Sequence, residues 1–190
     1  MKTNNQLRII GGRWRGRRIS FPDVIGLRPS GDRIRETLFN WLQMSIQDAV
    51  CLDLFSGSGI LGFEALSRGA AQVTFVDQHP AVIKHLQSVA EQLAMDEVRI
   101  ILGDVPSSPL KKKLTGTPYN LVFLDPPFHQ GLVQSTCAWL VDTDFITPGA
   151  LIYIEAERTL DPLPLPEHWE VLKSKATGQV GYHLVRVTTG

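Results

Sequence analysis

The sequence predicts an α/β fold: a doubly wound, mostly parallel, seven-stranded sheet with helices on both faces, plus an N-terminal β-ribbon or hairpin. Three observations predict it. From residue 50 onward, short apolar β-rich runs alternate with amphipathic stretches, the pattern of a covered parallel sheet. An aspartate follows each of four successive strands, Asp53, Asp77, Asp104 and Asp125, at intervals of 24, 27 and 21 residues. That interval is about one strand–helix unit, so a parallel sheet sets all four on the edge where such sheets bind ligands. Before residue 50 the pattern is different, and it is rich in arginine.

Residues 7–22 alternate loosely around Gly11-Gly12 and Gly16, which predicts a ribbon with Leu7, Ile9, Ile19 and Phe21 on its apolar side. Pro29-Ser30-Gly31 introduces a helix over 31–46, whose apolar positions Ile34, Leu38, Trp41 and Leu42 keep the 3.6 period. Strand 50–54 leads to helix 58–68, closed by Gly69. Strand 73–76 leads to helix 80–94, with Pro80 in its first turn. Strand 98–102 precedes a short, poor helix over 106–114, weakened by Pro106 and Pro109. Strand 121–124, helix 131–141 and strand 151–154 follow. The proline-rich loop 161–166 cannot join a sheet ladder, and 169–175 and 180–187 read as two closing strands.

At 190 residues and 43% hydrophobic composition, the chain fits one domain with a small extension. No apolar run reaches 18 residues, and Met1–Gln6 lacks the apolar stretch of a secretion signal. Two cysteines, Cys51 and Cys137, argue against a disulfide framework and for a reducing cytoplasm. The formal net charge is zero, yet residues 1–40 hold nine Lys/Arg against three Asp/Glu, a net of +6, and the remainder offsets it. A basic arm on an acidic body is the pattern of a polyanion-binding appendage.

Two loops carry the chemistry. Gly57-Ser58-Gly59-Ile60-Leu61-Gly62 fits G-x-G-x-x-G, and Asp77 lies 20 residues beyond Gly57. The glycines allow close backbone approach, and the acid suits a ribose. An aspartate after a strand also caps helices in many folds, so no single one of the four is diagnostic. A nicotinamide dinucleotide would set its pyrophosphate beside Asp53, which repels it. S-adenosylmethionine has a positive amino group, a sulfonium and no phosphate, and so suits Asp53. The second loop is Asp125-Pro126-Pro127-Phe128. An amino group on a base is a poor nucleophile because its lone pair is delocalised into the ring. Asp125 and the Pro126 carbonyl can accept its two N–H bonds, Pro127 stiffens the turn, and Phe128 offers a stacking face.

The run Asp53-Leu54-Phe55-Ser56-Gly57-Ser58-Gly59 resembles the cofactor loop of Rossmann-like S-adenosylmethionine-dependent methyltransferases. The resemblance implies that Asp53, Phe55, Ser56, Gly57 and Gly59 hold the methionine end. It implies that Asp77 accepts from the ribose and that Asp104 meets the adenine amino group, with Gln78 and Val105 beside the ring. Asp125–Phe128 resembles the Asp/Asn-Pro-Pro-aromatic motif of amino-directed nucleic-acid methyltransferases, with Asp leaning toward guanine.

Arg13-Trp14-Arg15-Gly16-Arg17-Arg18 packs four arginines and a tryptophan into six residues. Arginine forks match phosphates and Trp can stack on an unpaired base; Arg8, Arg28, Arg33 and Arg35 extend the set. Arg8–Gly12, Leu27-Arg28-Pro29, Asp32–Leu42 and Gly178–Tyr182 complete a resemblance to the bacterial RsmD family from end to end. That family implies an arm at 1–28, a methyltransferase domain at 29–190, and methylation of a guanine amino group in small-subunit ribosomal RNA. It also implies a partly assembled ribosomal particle as substrate, with the enzyme expected to be a monomer. A DNA adenine methyltransferase, a nicotinamide-dependent oxidoreductase and a non-catalytic RNA-binding assembly factor are the other readings. The five histidines show no metal-ligand spacing, Lys111–Lys113 reads as a solvated helix end, His129 is a candidate substrate contact, and Glu155 and Glu157 receive no role.

Overall fold

The computed structural model describes residues 6–21 and 31–188. Arg28, among the candidate RNA contacts, lies outside the described residues. The first element is an antiparallel pair, β1 (Gln6–Arg8) and β2 (Arg18–Ser20), with Leu7 opposite Ile19. Then come α1 (Asp32–Trp41), β3 (Val50–Asp53), α2 (Ile60–Ser67), β4 (Gln72–Asp77), α3 (Pro80–Leu93) and β5 (Val98–Leu102). The chain continues through α4 (Ser108–Leu114), β6 (Tyr119–Leu124), α5 (Leu132–Val141), β7 (Ile146–Glu157), β8 (Trp169–Thr177) and β9 (Val180–Val187).

The seven-stranded sheet has the order β5-β4-β3-β6-β7-β9-β8. The first five are parallel and β9 runs antiparallel to both its neighbours. From β3 the chain steps outward to β4 and β5, then returns to place β6 on the other side of β3. The order therefore reverses between β3 and β6, and the crevice opened there at the carboxyl ends is the place for a ligand.

Alternation along the inner strands divides the core. Leu121 and Phe123 face a layer with Leu38 and Phe39 of α1, Phe63 of α2 and Leu86 of α3. Val122 and Leu124 face the opposite layer, with Leu110 of α4 and Cys137 and Leu140 of α5. All four β6 side chains are buried, so truncating Phe123 to Ala removes a core ring at about 3–5 kcal/mol.

Three elements depart from the sequence reading. Helix α1 ends at Trp41, not 46, because Ile46 and Ser45 donate back to Leu42 in a tight turn that leaves Met44 exposed. Helix α4 is better formed than its prolines suggest. Ser107 caps it by accepting from the Leu110 N–H at 3.3 Å, Pro106 precedes it, and Pro109 sits in the first turn where no N–H is needed. Strand β7 begins at Ile146; Pro148 and Gly149 fall where its register with β6 shifts between Tyr119 and Leu121. The ribbon has only three-residue strands, too short to stand alone.

It is held against the body instead. Ile9 and Ile19 are fully buried in the same layer as α1, α2 and α3. The Arg13 N–H donates to the Ser67 carbonyl at 2.7 Å, the Trp14 N–H donates to Ser67 Oγ at 2.9 Å, and Ser67 Oγ donates to the Gly11 carbonyl at 2.6 Å. The approach requires glycine at position 12: φ is +73°, and a Cβ there would lie 1.6 Å from the Ser67 carbonyl oxygen.

Candidate active site

Parallel pairing sets the ends of β5, β4, β3 and β6 side by side, and with them the four aspartates. A cleft of about 920 Å³ opens along this edge. Asp53, Phe55, Ser56, Gly57, Asp77, Gln78 and Val105 line it on one side, and Asp125, Pro126, Pro127 and Phe128 on the other.

Asp53 is the last residue of β3 and only 4% exposed. The Gly62 N–H donates to its Oδ2 at 3.3 Å. Burial pushes its carboxyl up to about 7; the Gly62 hydrogen bond opposes that push and the nearby Asp77 charge reinforces it. Asp77 accepts from the Gly57 N–H at 3.0 Å and from the His79 N–H at 2.9 Å. These bonds fix both of its oxygens, and each keeps a further lone pair. Ser56 plays a different part: its Oγ donates to the Asp53 carbonyl at 2.8 Å and accepts from the Val76 N–H at 2.9 Å, tying the ends of β3 and β4 together. Gly59 does not line the cleft. It begins α2 in the left-handed region at φ +75°, and a Cβ there would strike Leu86 at 2.4 Å. Asp104 is exposed and also absent from the lining, although Gly103 and Val105 on either side belong to it. Ser107 Oγ donates to the Asp104 carbonyl at 2.8 Å.

At the end of β6, Pro126 is buried, Asp125 and Phe128 are half-buried, and Pro127 is exposed. Phe128 presents its ring next to that of His129, edge on at 6.4 Å. The backbone turns at His129 with φ +61°, and His129 Nδ1 lies 3.6 Å from Glu157 Oε1.

The lining also includes Glu155, Glu157, Arg158, His79 and Gln179, none of them assigned from sequence. Glu155 and Glu157 were placed near the ligand edge of the fifth parallel strand, beside the other four acids, but were given no role. Gln179 comes from the turn between antiparallel strands, which no such rule covers. Five carboxylates against one arginine make this a cleft for positive charge and for N–H donors. Among the described residues, no group of three or more His, Cys, Asp or Glu could hold a metal.

Of the arginines proposed to meet RNA, Arg8, Arg13, Arg15, Arg17, Arg18 and Arg33 are exposed. Arg35 is a correction. It is 0% exposed, its guanidinium bound to Asp32 Oδ1 at 2.5 Å, the Arg8 carbonyl at 3.0 Å and Glu64 Oε2 at 3.4 Å. Glu64, also buried, accepts from the Ile10 N–H at 2.8 Å and from Arg68 Nε at 2.7 Å. Arg35 therefore joins the hairpin to α1 and α2 and is withdrawn from any phosphate. Trp14 is a second correction. Its Nε1 donates to the Leu93 carbonyl at 3.1 Å, its ring packs on the core, and the Arg13 guanidinium covers it at 4.6 Å. The indole anchors the hairpin, and its rings are not open to a base.

The family described as Conserved hypothetical protein 95 matches residues 7–186. Ribosomal RNA small subunit methyltransferase D of Escherichia coli strain K12 is 45% identical over 181 residues, covering 95% of this chain and 90% of its own. The protein of that name from Haemophilus influenzae is 43% identical over 180 residues, covering 94% and 93%. A solved structure titled putative methyltransferase yhhF, from Escherichia coli, superposes with a TM-score of 0.85 at 43% identity, covering 98% of this chain and all of its own.

Proposed function

The chain belongs to that family, and from this premise we propose that it transfers a methyl group from S-adenosylmethionine to the N2 amino group of a guanine in small-subunit ribosomal RNA. One observation carries the reading: the Asp53–Gly59 loop and the Asp125–Phe128 segment, 66 residues apart in sequence between Gly59 and Asp125, open onto one cleft at the strand-order reversal.

The residues present fit the cofactor. Burial pushes the Asp53 carboxyl up to about 7, and an ammonium or sulfonium beside it would favour the ionised form. Asp77 faces the cleft with its orientation already fixed by two backbone donors. A dinucleotide pyrophosphate would meet five lining carboxylates, which weighs against the oxidoreductase reading. When bound, S-adenosylmethionine supplies an electrophilic methyl group.

The chain's own contribution is orientation. Asp125 accepts one N–H of the guanine amino group and the Pro126 carbonyl accepts the other, so the nitrogen lone pair turns out of conjugation toward the methyl carbon. Methylation at the expense of the sulfonium's methyl–sulfur bond, with the neutral thioether as leaving group, would leave a surplus N–H proton that Asp125 could pass to solvent. Phe128 supports the ring by stacking. The exposed arginines of the hairpin and Arg33 hold phosphates outside the acidic cleft. The RsmD-type resemblance supports a partly assembled particle as substrate, a monomeric enzyme and a cytoplasmic setting; among the described residues no helix is long and apolar enough to cross a membrane.

The test is tritium transfer from methyl-labelled S-adenosylmethionine to ribosomal particles from cells lacking the protein, with duplex DNA in parallel and nucleoside digestion of the product. Label in N2-methylguanosine of small-subunit RNA supports the proposal. Label in DNA adenine alone would retain the chemistry and refute the substrate.

A further inference from the structure

Glu155 lies beside Asp125, and the reaction as described gives it no part. Strands β6 and β7 run parallel with Leu124 opposite Ile154, so Asp125 and Glu155 are the next residues on neighbouring strands. Such strands lie about 4.8 Å apart, and residues in register face the same side. Both line the cleft. Glu155 is 3% exposed, a burial that carboxylates rarely reach unless paired. The Tyr153 hydroxyl donates to Glu155 Oε1 at 2.8 Å and sets the direction of the carboxylate. Burial first, then the charges of Glu155 and Asp125, hold the Tyr153 phenol well above its ordinary titration range, so it stays a donor.

The bases differ where Glu155 stands. Guanine carries an N–H at N1, next to the C2 amino group; adenine carries a bare lone pair at N1. A carboxylate adjoining the pair of acceptors for the amino group attracts the first and repels the second. We propose that Glu155 is a specificity-determining residue, its carboxylate accepting the N1–H of the target guanine while Asp125 and the Pro126 carbonyl hold the C2 amino group. This rests on the guanine amino-methyltransferase reading above and adds the means by which guanine is chosen.

The experiment uses particles reassembled with ligated RNA carrying either guanine or 2-aminopurine at the methylated position. 2-Aminopurine keeps the reacting amino group but has no N1–H. The unsubstituted protein should prefer guanine in kcat/KM by roughly 10- to 100-fold, the worth of a hydrogen bond to a charged group. In Glu155→Gln the amide oxygen keeps the Tyr153 bond, and the amide N–H2 turns toward the base. The preference should then move toward 2-aminopurine by about tenfold or more. Tyr153→Phe separates charge from orientation: it should weaken the preference for guanine without turning it toward 2-aminopurine. Adenosylhomocysteine binding by calorimetry checks that each variant is folded. If Glu155→Gln slows both substrates equally, or Tyr153→Phe shifts the preference as far, Glu155 only supports the fold and the inference fails. Absence of transfer to guanine by the unsubstituted protein would refute the reaction itself, a distinct result.

Discussion

Asp53→Asn should stabilise the protein without cofactor and impair its binding of cofactor. The carboxyl is raised from the ordinary 3.8 to about 7, chiefly by burial. A raised acid pKa means that the unfolded chain ionises first. The contribution of Asp53 to stability is therefore intact below about pH 4 and is lost as pH rises toward 7. A shift of about 3 units at about 1.4 kcal/mol each bounds the loss near 4 kcal/mol, and water in the open cleft reduces it. Asn keeps an oxygen for the Gly62 N–H and has no charge to desolvate. In urea denaturation, the stability of Asp53→Asn relative to the unsubstituted protein should gain roughly 2 kcal/mol between pH 5 and pH 8. S-adenosylmethionine is a cation and favours ionised Asp53, so its binding should release a proton near pH 7 and strengthen as pH rises. Calorimetry in buffers of different ionisation enthalpy measures that proton, and Asp53→Asn should abolish its release. A stability difference independent of pH, or unchanged proton release in the variant, would refute the assignment of Asp53 to the cationic end of the cofactor.

Asp125→Ala should lower single-turnover methyl transfer by at least about 100-fold while adenosylhomocysteine affinity in calorimetry stays within about threefold; unimpaired transfer would remove Asp125 from the reaction. Replacing Arg13, Arg15, Arg17 and Arg18 together by Ala should flatten the dependence of log K on log salt by about 3 for RNA binding, and an unchanged slope would take the hairpin off the RNA. Arg35→Ala should leave that slope alone yet destabilise the fold by about 3 kcal/mol, the lower end for a broken buried pair because Arg68 still holds Glu64; denaturant melts and salt titrations measure the two effects separately.

The parallel body was legible because its signals are local. Strand 98–102 is observed with those bounds, and the aspartates mark strand ends that any doubly wound sheet brings together. Signals that depend on distant partners were not. Arg35 and Arg33 look alike in the chain; Arg35 is withdrawn by Glu64, on another helix. A clue existed, since Arg35 is three and four residues before Leu38 and Phe39 and so shares their inward face. Trp14 had no such clue, because its acceptor is the carbonyl of Leu93, 79 residues away. Strand β7 was read only over 151–154, and its pairing with β6 and β9 extends it to Ile146–Glu157.

Charge is divided along the length of α2. Its first turn opens at the cleft with Ile60 and Leu61, where the lining is acidic. Its last residue, Ser67, receives the backbone of Arg13 and Trp14, where the arginines gather. Eight residues at 1.5 Å each separate the two ends by about 12 Å. The cleft therefore attracts a base and repels its phosphates, and the phosphates have a cationic surface one helix length away. A single nucleotide cannot satisfy both ends. On the function proposed above, the base in the cleft and the phosphates on the hairpin arginines would belong to different nucleotides, and contacts remote from the target would supply the energy that unstacks it.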